Sequence, residues 1–298
     1  MNNPTLIYQI TEEDEGNTMK HFLRKKKGLS RKLLSRMKNG QSIFLNDQFT
    51  YLDHPLKAGD TIRLVMPEEE SENIIPQNLP IQIEYEDEDV MVLNKPFDQC
   101  VHPTLLHPDG TLANGVVHYW REQGFNRKFR AVNRLDRDTS GLLIVAKNQF
   151  AHQQLAIAQS NQQIERFYEA FTHGIMEKEA GTIAAPIGRK SESIIRREVR
   201  ADGQEAVTHY RLLERFENAS HVQLQLETGR THQIRVHLSF IGHPLIGDDL
   251  YGGERDLLER QALHARHISF PHPRAGDQLS FSSQLPPDLD QLLKKLRK

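Results

Sequence analysis

Apolar residues in the first part of the chain recur with the period of a helix. Leu29, Leu33 and Met37 are spaced four residues apart, which predicts an amphipathic helix over residues 30–38. A glycine separates this pattern from an earlier short helical pattern, and Gly40 is expected to end it. The pattern therefore indicates two short helices in succession.

A small sheet is predicted after these helices. Apolar runs at 42–45 and 61–65 are bounded by turn residues such as Asn46 and Gly59. We therefore expect a compact α+β module of helices followed by strands, and we place it in residues 1–72.

The rest of the chain mixes strand and helix patterns. The predicted elements are strands over 90–93, 142–146 and 222–226 and helices over 149–159 and 231–241, the last with Thr231 as its N-cap. An acidic segment with prolines over 67–80 is typical of a linker. The sequence thus predicts a second, mixed α/β (α+β) domain in residues 80–298.

Composition sets the broad class of the protein. The chain has 298 residues, of which 37% are hydrophobic and 26% are charged, as in a soluble protein with a sizeable core. No apolar run approaches the roughly 18–20 residues that span a membrane. The first residues lack the pattern of a signal peptide, so a cytoplasmic location is expected. The single cysteine excludes an intrachain disulfide.

The charge of the chain is concentrated in one place. The formal net charge is −2, which argues against a protein that coats nucleic acid by bulk charge. Between Lys20 and Lys38, however, nine lysines and arginines occur without one acidic residue. Cations on one helical face pair with phosphates largely without reading sequence, although short charge runs also form solvated helix faces. The residues expected to bind nucleic acid are Lys25, Lys26, Lys27, Arg31 and Lys32.

A charged, turn-forming octet precedes one of the predicted core strands. Residues 134–141 contain two aspartates and two arginines followed by Thr, Ser and Gly, and residues 142–146 are apolar. Such a segment places polar side chains at the rim of a rigid scaffold, where active sites are often built. Two further segments stand together with this octet as candidates for chemistry, at 165–171 and 226–252.

Together these three segments resemble the RluA-like family of RNA pseudouridine synthases. The resemblance extends from about residue 80 to the end of the chain, and residues 29–31 and 56–60 of the first module are similar to an S4-like RNA-binding domain. It implies a catalytic domain with a largely antiparallel sheet. It also implies isomerisation of uridine in RNA, in which the bond from C1′ to N1 breaks and C5 is joined to C1′. The base must first leave its stack to expose the reacting atoms.

The resemblance also implies roles for particular residues. Asp136 matches the essential carboxylate, which can attack C1′ or take a proton from the sugar, and both routes stay open. Arg235 matches the arginine that keeps this carboxylate ionised and oriented. Tyr168 matches the tyrosine that stacks on the flipped base.

Further arginines are expected to contact RNA. Arg134 fits the cation that enters the RNA in place of the flipped base, with an ion pair to Asp138 as the alternative. Arg230 is expected to contact phosphate. Asp138 itself is interpreted as an acceptor that stabilises its loop.

The sequence also gives expectations about cofactors and partners, and it leaves alternative functions open. The histidines show neither an HExxH pattern nor Cys–His zinc spacing, so no metal and no cofactor are expected. The expected partner is structured RNA, with large-subunit ribosomal RNA preferred over transfer RNA, and the protein is expected to act as a monomer away from membranes. The alternatives are a non-catalytic RNA-binding or ribosome-assembly protein and a glycosidase using Asp136 and Asp138.

Overall fold

A computed structural model describes residues 4–69, 71 and 73–298 of the chain. Within these residues, the strands form a four-stranded sheet, a two-stranded hairpin and a nine-stranded sheet. The strands are β1 (Thr5–Gln9), β2 (Ile43–Leu45), β3 (Gln48–Phe49), β4 (Thr61–Val65), β5 (Ile83–Glu86), β6 (Val90–Lys95), β7 (Ser140–Ala146), β8 (Glu165–His173), β9 (Ala180–Ala184), β10 (Ile187–Arg189), β11 (Arg197–Val199), β12 (Val207–Arg215), β13 (Ala219–Leu226), β14 (Leu263–Pro271) and β15 (Gln278–Ser282).

Helices are fewer and mostly short. They are α1 (Met19–His21), which continues as one π-helical segment (Phe22–Lys26), α2 (Arg31–Asn39), α3 (Leu112–Glu122), α4 (Gln149–Ser160), α5 (Gln233–Phe240) and α6 (Pro287–Leu296), with 3₁₀ turns at Glu12–Asp14 and Asp249–Tyr251. None of the helices in the described ranges is both long and apolar enough to cross a membrane.

The four-stranded sheet and α2 form a small module near the N-terminus. Its strand order is β1-β4-β2-β3 and its pairs are antiparallel. The predicted amphipathic helix is confirmed, because Ser30 caps α2 by accepting a hydrogen bond from the Leu33 N–H at 3.2 Å. Leu33, Leu34 and Met37 are buried on one side of α2, which leaves its basic side outside.

The nine-stranded sheet confirms the expected mixed, largely antiparallel architecture. Its order is β5-β6-β7-β14-β8-β13-β12-β9 with β15 added to β14, and β7–β14 is its parallel pair. All seven residues of β7 are buried, as in strands covered on both faces. At Gly141 φ is +113° and a Cβ would lie 2.3 Å from the Ala265 carbonyl oxygen. Only glycine therefore allows β7 to approach β14 here.

Helices cover this sheet on both faces. Along β7, Leu143 and Val145 pack with α3 and α5, whereas Leu142 and Ile144 pack on the other face with α4. This alternation follows from the period of two along a strand. The octet 134–141 ends in the first two residues of β7. Its residues are therefore anchored by a strand that is buried along its whole length.

The predicted linker packs against both parts of the molecule in its described residues. Glu69 forms ion pairs with Arg36 of the small module and Arg130 of the larger part. The hydroxyl of Ser71 accepts a hydrogen bond from the Phe129 N–H at 2.8 Å. Gln153 of α4 accepts a hydrogen bond from the Ser30 N–H at 2.9 Å. The small module is thus held against α4 by specific contacts.

Candidate active site

Asp136 lies beside a cavity of about 620 Å³ at the entrance to β7. Distant segments of the chain meet there, and the lining includes residues 100–102, 131–137 and 229–235 together with Arg166, Tyr168 and Arg197. The three segments that stood out in the sequence therefore share one cavity. Its size suits one flipped nucleobase with part of its sugar and phosphate.

The backbone of the loop around Asp136 is held at three successive carbonyls. The Asp136 carbonyl accepts a hydrogen bond from the Thr139 N–H at 3.1 Å. The next two carbonyls, of Arg137 and Asp138, accept from Lys95 Nζ at 2.9 Å and from Arg260 Nη1 at 3.0 Å. The position of the Asp136 carboxylate is therefore set by a rigid backbone.

Lys95 and Arg260 are structural cations that the sequence did not reveal. Lys95 is fully buried, and its ammonium also donates to the carbonyls of Pro96 and Gln99 at 2.7 and 2.8 Å. Burial lowers the pKa of Lys95 to about 7, against the opposing effect of the nearby carboxylates. Arg260 is paired with Asp288 of α6 at 2.7 Å.

Arg235 connects Asp136 to a second, buried carboxylate. Its Nη1 lies 3.3 Å from Asp136 Oδ2, while Nε and Nη2 each donate to Asp248 at 2.7 Å. Burial alone would lower the pKa of Arg235, but the hydrogen bonds and charge of Asp248 outweigh it, and the pKa is raised. Asp248 therefore orients the guanidinium, and the remaining nitrogen faces Asp136.

His232 is a further neighbour of Asp136 that the sequence did not assign to the site. Its Nε2 lies 3.9 Å from Asp136 Oδ2, and its Nδ1 lies 2.8 Å from the Tyr251 hydroxyl, which accepts a hydrogen bond from the Arg197 N–H. Burial lowers the pKa of His232. In the tautomer in which Tyr251 donates to Nδ1, the Nε2–H faces the Asp136 carboxylate.

The turn at His232 corrects one expectation. Thr231 is not the N-cap of α5, which begins at Gln233 and is preceded by His232 with φ of +59°. The buried Gln233 side chain accepts from the Arg230 N–H and donates to the Val207 carbonyl, both at 2.9 Å. This tertiary contact outweighs the local capping preference of threonine.

Tyr168 lies on β8 and is 5% exposed, within the core cluster that borders the cavity. Burial raises the pKa of its phenol, so the side chain is neutral near pH 7. The alternation along β8 puts Phe167 and Phe171 on the face opposite Tyr168 and predicts that both fill the core, which is wrong for one of them. Phe171 is fully buried, but Phe167 is partly exposed beside the His267 ring.

Arg134 and Arg230 are both exposed at the rim of this cavity. Arg230 Nε donates to the Glu205 carbonyl at 2.9 Å, which orients the side chain. Among the described residues, Asp138 makes no ion pair with Arg134, because its carboxylate lies 4.0 Å from Arg137 instead. The support that Asp138 gives to its loop comes from its carbonyl rather than its side chain.

The basic residues of the small module lie outside the cavity lining. All five expected residues are exposed, but they differ in their contacts. Lys26 forms an ion pair with Asp14, and the Lys27 ammonium lies 5.2 Å from the centre of the Tyr8 ring. Lys25, Arg31 and Lys32 are the ones left to face solvent.

Within 4–69, 71 and 73–298, no three His, Cys, Asp or Glu side chains are grouped to hold a metal ion.

Comparison with protein families gives two matches along the chain. Residues 89–240 match the family described as RNA pseudouridylate synthase. Residues 6–62 match the family described as the RluD ribosomal pseudouridine synthase N-terminal domain. The first match contains Asp136, Tyr168 and Arg235, and the second contains the basic helices.

Individual relatives cover most of the chain. A Bacillus subtilis protein named uncharacterized RNA pseudouridine synthase YjbO is 45% identical over 90% of this chain and 95% of its own length. Ribosomal large subunit pseudouridine synthase D of Vibrio parahaemolyticus is 40% identical over 81% of this chain and 78% of its own. The solved structure of human RNA pseudouridylate synthase domain containing 1 has a TM-score of 0.59 and 27% identity, covering 74% of this chain and 96% of that one.

Proposed function

The chain belongs to the RNA pseudouridylate synthase family of the RluA/RluD type, and from this premise we propose that Asp136 is the catalytic carboxylate and ribosomal RNA of the large subunit the substrate. The observation that carries the proposal is the placement of Asp136. Its carboxylate lies at a cavity lined also by Tyr168, and Arg235 Nη1 lies 3.3 Å from Oδ2. This arrangement brings a carboxylate oriented by a guanidinium beside the ring of Tyr168, in a site large enough for a base.

The geometry suits either chemical route to the product. In one route Asp136 attacks C1′ and displaces uracil through N1, and in the other it takes a proton from the sugar. Both routes need the carboxylate oxygens held toward the sugar, and Arg235 Nη1 at 3.3 Å and His232 Nε2 at 3.9 Å from Oδ2 orient them. Tyr168 supplies a flat apolar surface for the uracil while it turns to present C5.

The choice of ribosomal RNA rests on the relatives and on the basic module. Several relatives are named ribosomal large subunit pseudouridine synthase D, and the N-terminal match is to a domain of that type. We propose that residues 1–72 bind RNA and residues 80–298 catalyse the reaction. Helix α4 contacts the module through Gln153 and the cavity through Gln159. About 9 Å of helix separates these positions, so one folded RNA can reach both.

The test of this proposal is conversion of defined RNAs by the purified protein. We expect pseudouridine to appear in transcribed large-subunit ribosomal RNA, located by carbodiimide modification and primer extension, with no change in RNA mass and no free uracil. If the protein converted transfer RNA but not ribosomal RNA, the proposal of a ribosomal RNA substrate would be wrong and transfer RNA would take its place. Release of uracil would indicate the glycosidase and contradict the proposal.

The exposed basic residues of the module provide a second prediction. Arg31→Gln/Lys32→Gln is expected to raise KM for the RNA about tenfold at 0.15 M salt while kcat changes less than about threefold, because these side chains do not line the cavity. The slope of log affinity against log salt concentration should fall by about 1.4–1.8 in magnitude, since two phosphate contacts are lost. Lys295→Gln/Lys298→Gln removes two exposed charges near the end of α6 and serves as the control. Equal effects of the two double variants would contradict a specific RNA-binding face.

A further inference from the structure

Arg166 is a buried arginine that borders the cavity without a partner. The residue is 6% exposed and lines the same cavity as Asp136 and Tyr168. Its Nε is buried without a hydrogen-bond partner. No residue in 4–69, 71 and 73–298 accepts a hydrogen bond from its guanidinium or forms an ion pair with it. A full positive charge therefore lies in the wall of the cavity without a protein anion to balance it.

The other buried cations of this region are all compensated. Lys95 donates to three carbonyls, Arg235 is paired with Asp248, and Arg260 is paired with Asp288. A buried charge without such a partner is unfavourable in the free protein. Arg166 is thus an exception that a bound ligand would resolve.

Strand β8 and the turn at Gly229 direct the Arg166 guanidinium toward the cavity. Arg166 is two residues before Tyr168 on β8, so both side chains project from the same face of the strand. On the other side, a Cβ at Gly229 would lie 3.1 Å from Arg166 Nη1. Because Gly229 has no side chain, it does not crowd the guanidinium. The next residue, Arg230, also lines the cavity.

We propose that Arg166 binds a phosphodiester oxygen of the RNA at or next to the target uridine. A phosphate supplies the charge that the pocket lacks, and a planar guanidinium with free N–H groups can bind it with two charge-assisted hydrogen bonds. The exposed Arg230, which lines the same cavity, can bind the same backbone. This inference rests on the proposed function, because it assumes an RNA substrate in this cavity.

Arg166→Met tests the proposal, with Arg166→Lys as the conservative variant and Arg121→Met, an exposed arginine of α3, as the matched control. We expect Arg166→Met to raise KM for a ribosomal RNA that the wild type modifies about tenfold at 0.15 M salt, with kcat changed less than about threefold. The salt slope of kcat/KM should fall by about 0.7–0.9 in magnitude. Arg166→Lys should retain the slope, and Arg121→Met should match the wild type.

The stability of the free protein provides a second, independent measurement. Because Arg166→Met removes an unbalanced buried charge, its Tm without RNA should equal or exceed that of the wild type. A Tm that falls together with activity would show a structural role and overturn the proposal. A raised KM with an unchanged salt slope would show contact with a neutral group such as a uracil carbonyl, and would also overturn it. If the wild type forms no pseudouridine, the proposed function fails instead.

Discussion

Asp136→Asn is expected to lower pseudouridine formation by at least about 10⁴-fold while the protein stays folded. The amide is the same size as the carboxylate but can neither attack C1′ nor take a proton from the sugar. The Asp136 side chain is 26% exposed, and Arg235 keeps both hydrogen bonds to Asp248. The Tm should therefore change by no more than about 1–2 °C. Single-turnover conversion of ribosomal RNA and thermal unfolding measure the two effects.

Asp138→Asn is the matched control for this variant. The Asp138 side chain is 40% exposed, 4.0 Å from Arg137, and supports the loop through its carbonyl, which the substitution keeps. Its activity should stay within about tenfold of the wild type. If both variants lost activity equally, a mechanism with paired carboxylates would be favoured over one that depends on Asp136 alone. Full turnover by Asp136→Asn would remove Asp136 from the reaction.

Much of the fold could be predicted because its signals are local. Helix α2 follows from the four-residue spacing of Leu29, Leu33 and Met37, and β7 follows from an uninterrupted apolar run. Tyr168 and Arg235 could be named only because their motifs resemble a family. The period of β8 gives Tyr168 no priority over its neighbours, and it is misleading for Phe167, which lies partly exposed beside His267 of the adjacent strand.

The remaining parts of the site depend on contacts between distant residues. Asp248 orients Arg235 from 13 positions away, and Lys95 holds the Arg137 carbonyl across 42 positions. The left-handed turn at His232 is imposed by the buried amide of Gln233 and is not visible in a local pattern. Arg166 could not be predicted as a free cation, since the absence of a partner is a property of the folded surroundings.

The coupling of Arg235 and Asp248 makes one substitution affect both stability and catalysis. Asp248 is 1% exposed, and Arg235 is its ion-pair partner at 2.7 Å. Removal of one member of a buried pair leaves the other charge uncompensated, which destabilises a protein by about 3–5 kcal/mol. Replacement of both members by apolar residues of similar volume is often neutral. The same guanidinium also faces Asp136, so its two roles can be separated by comparing single and double variants.

Arg235→Met is expected to lower the Tm by about 10 °C and kcat by at least about 10²-fold. Arg235→Met/Asp248→Leu should recover most of the Tm, because no buried carboxylate is left unpaired. It should not recover kcat, because Asp136 still lacks the guanidinium that orients its carboxylate. Arg255→Met breaks an exposed ion pair with Asp249 nearby and should lower the Tm by no more than about 3 °C. Recovery of kcat together with Tm in the double variant would mean that Arg235 serves the fold alone, whereas recovery of Tm alone shows that Arg235 also orients the Asp136 carboxylate for catalysis.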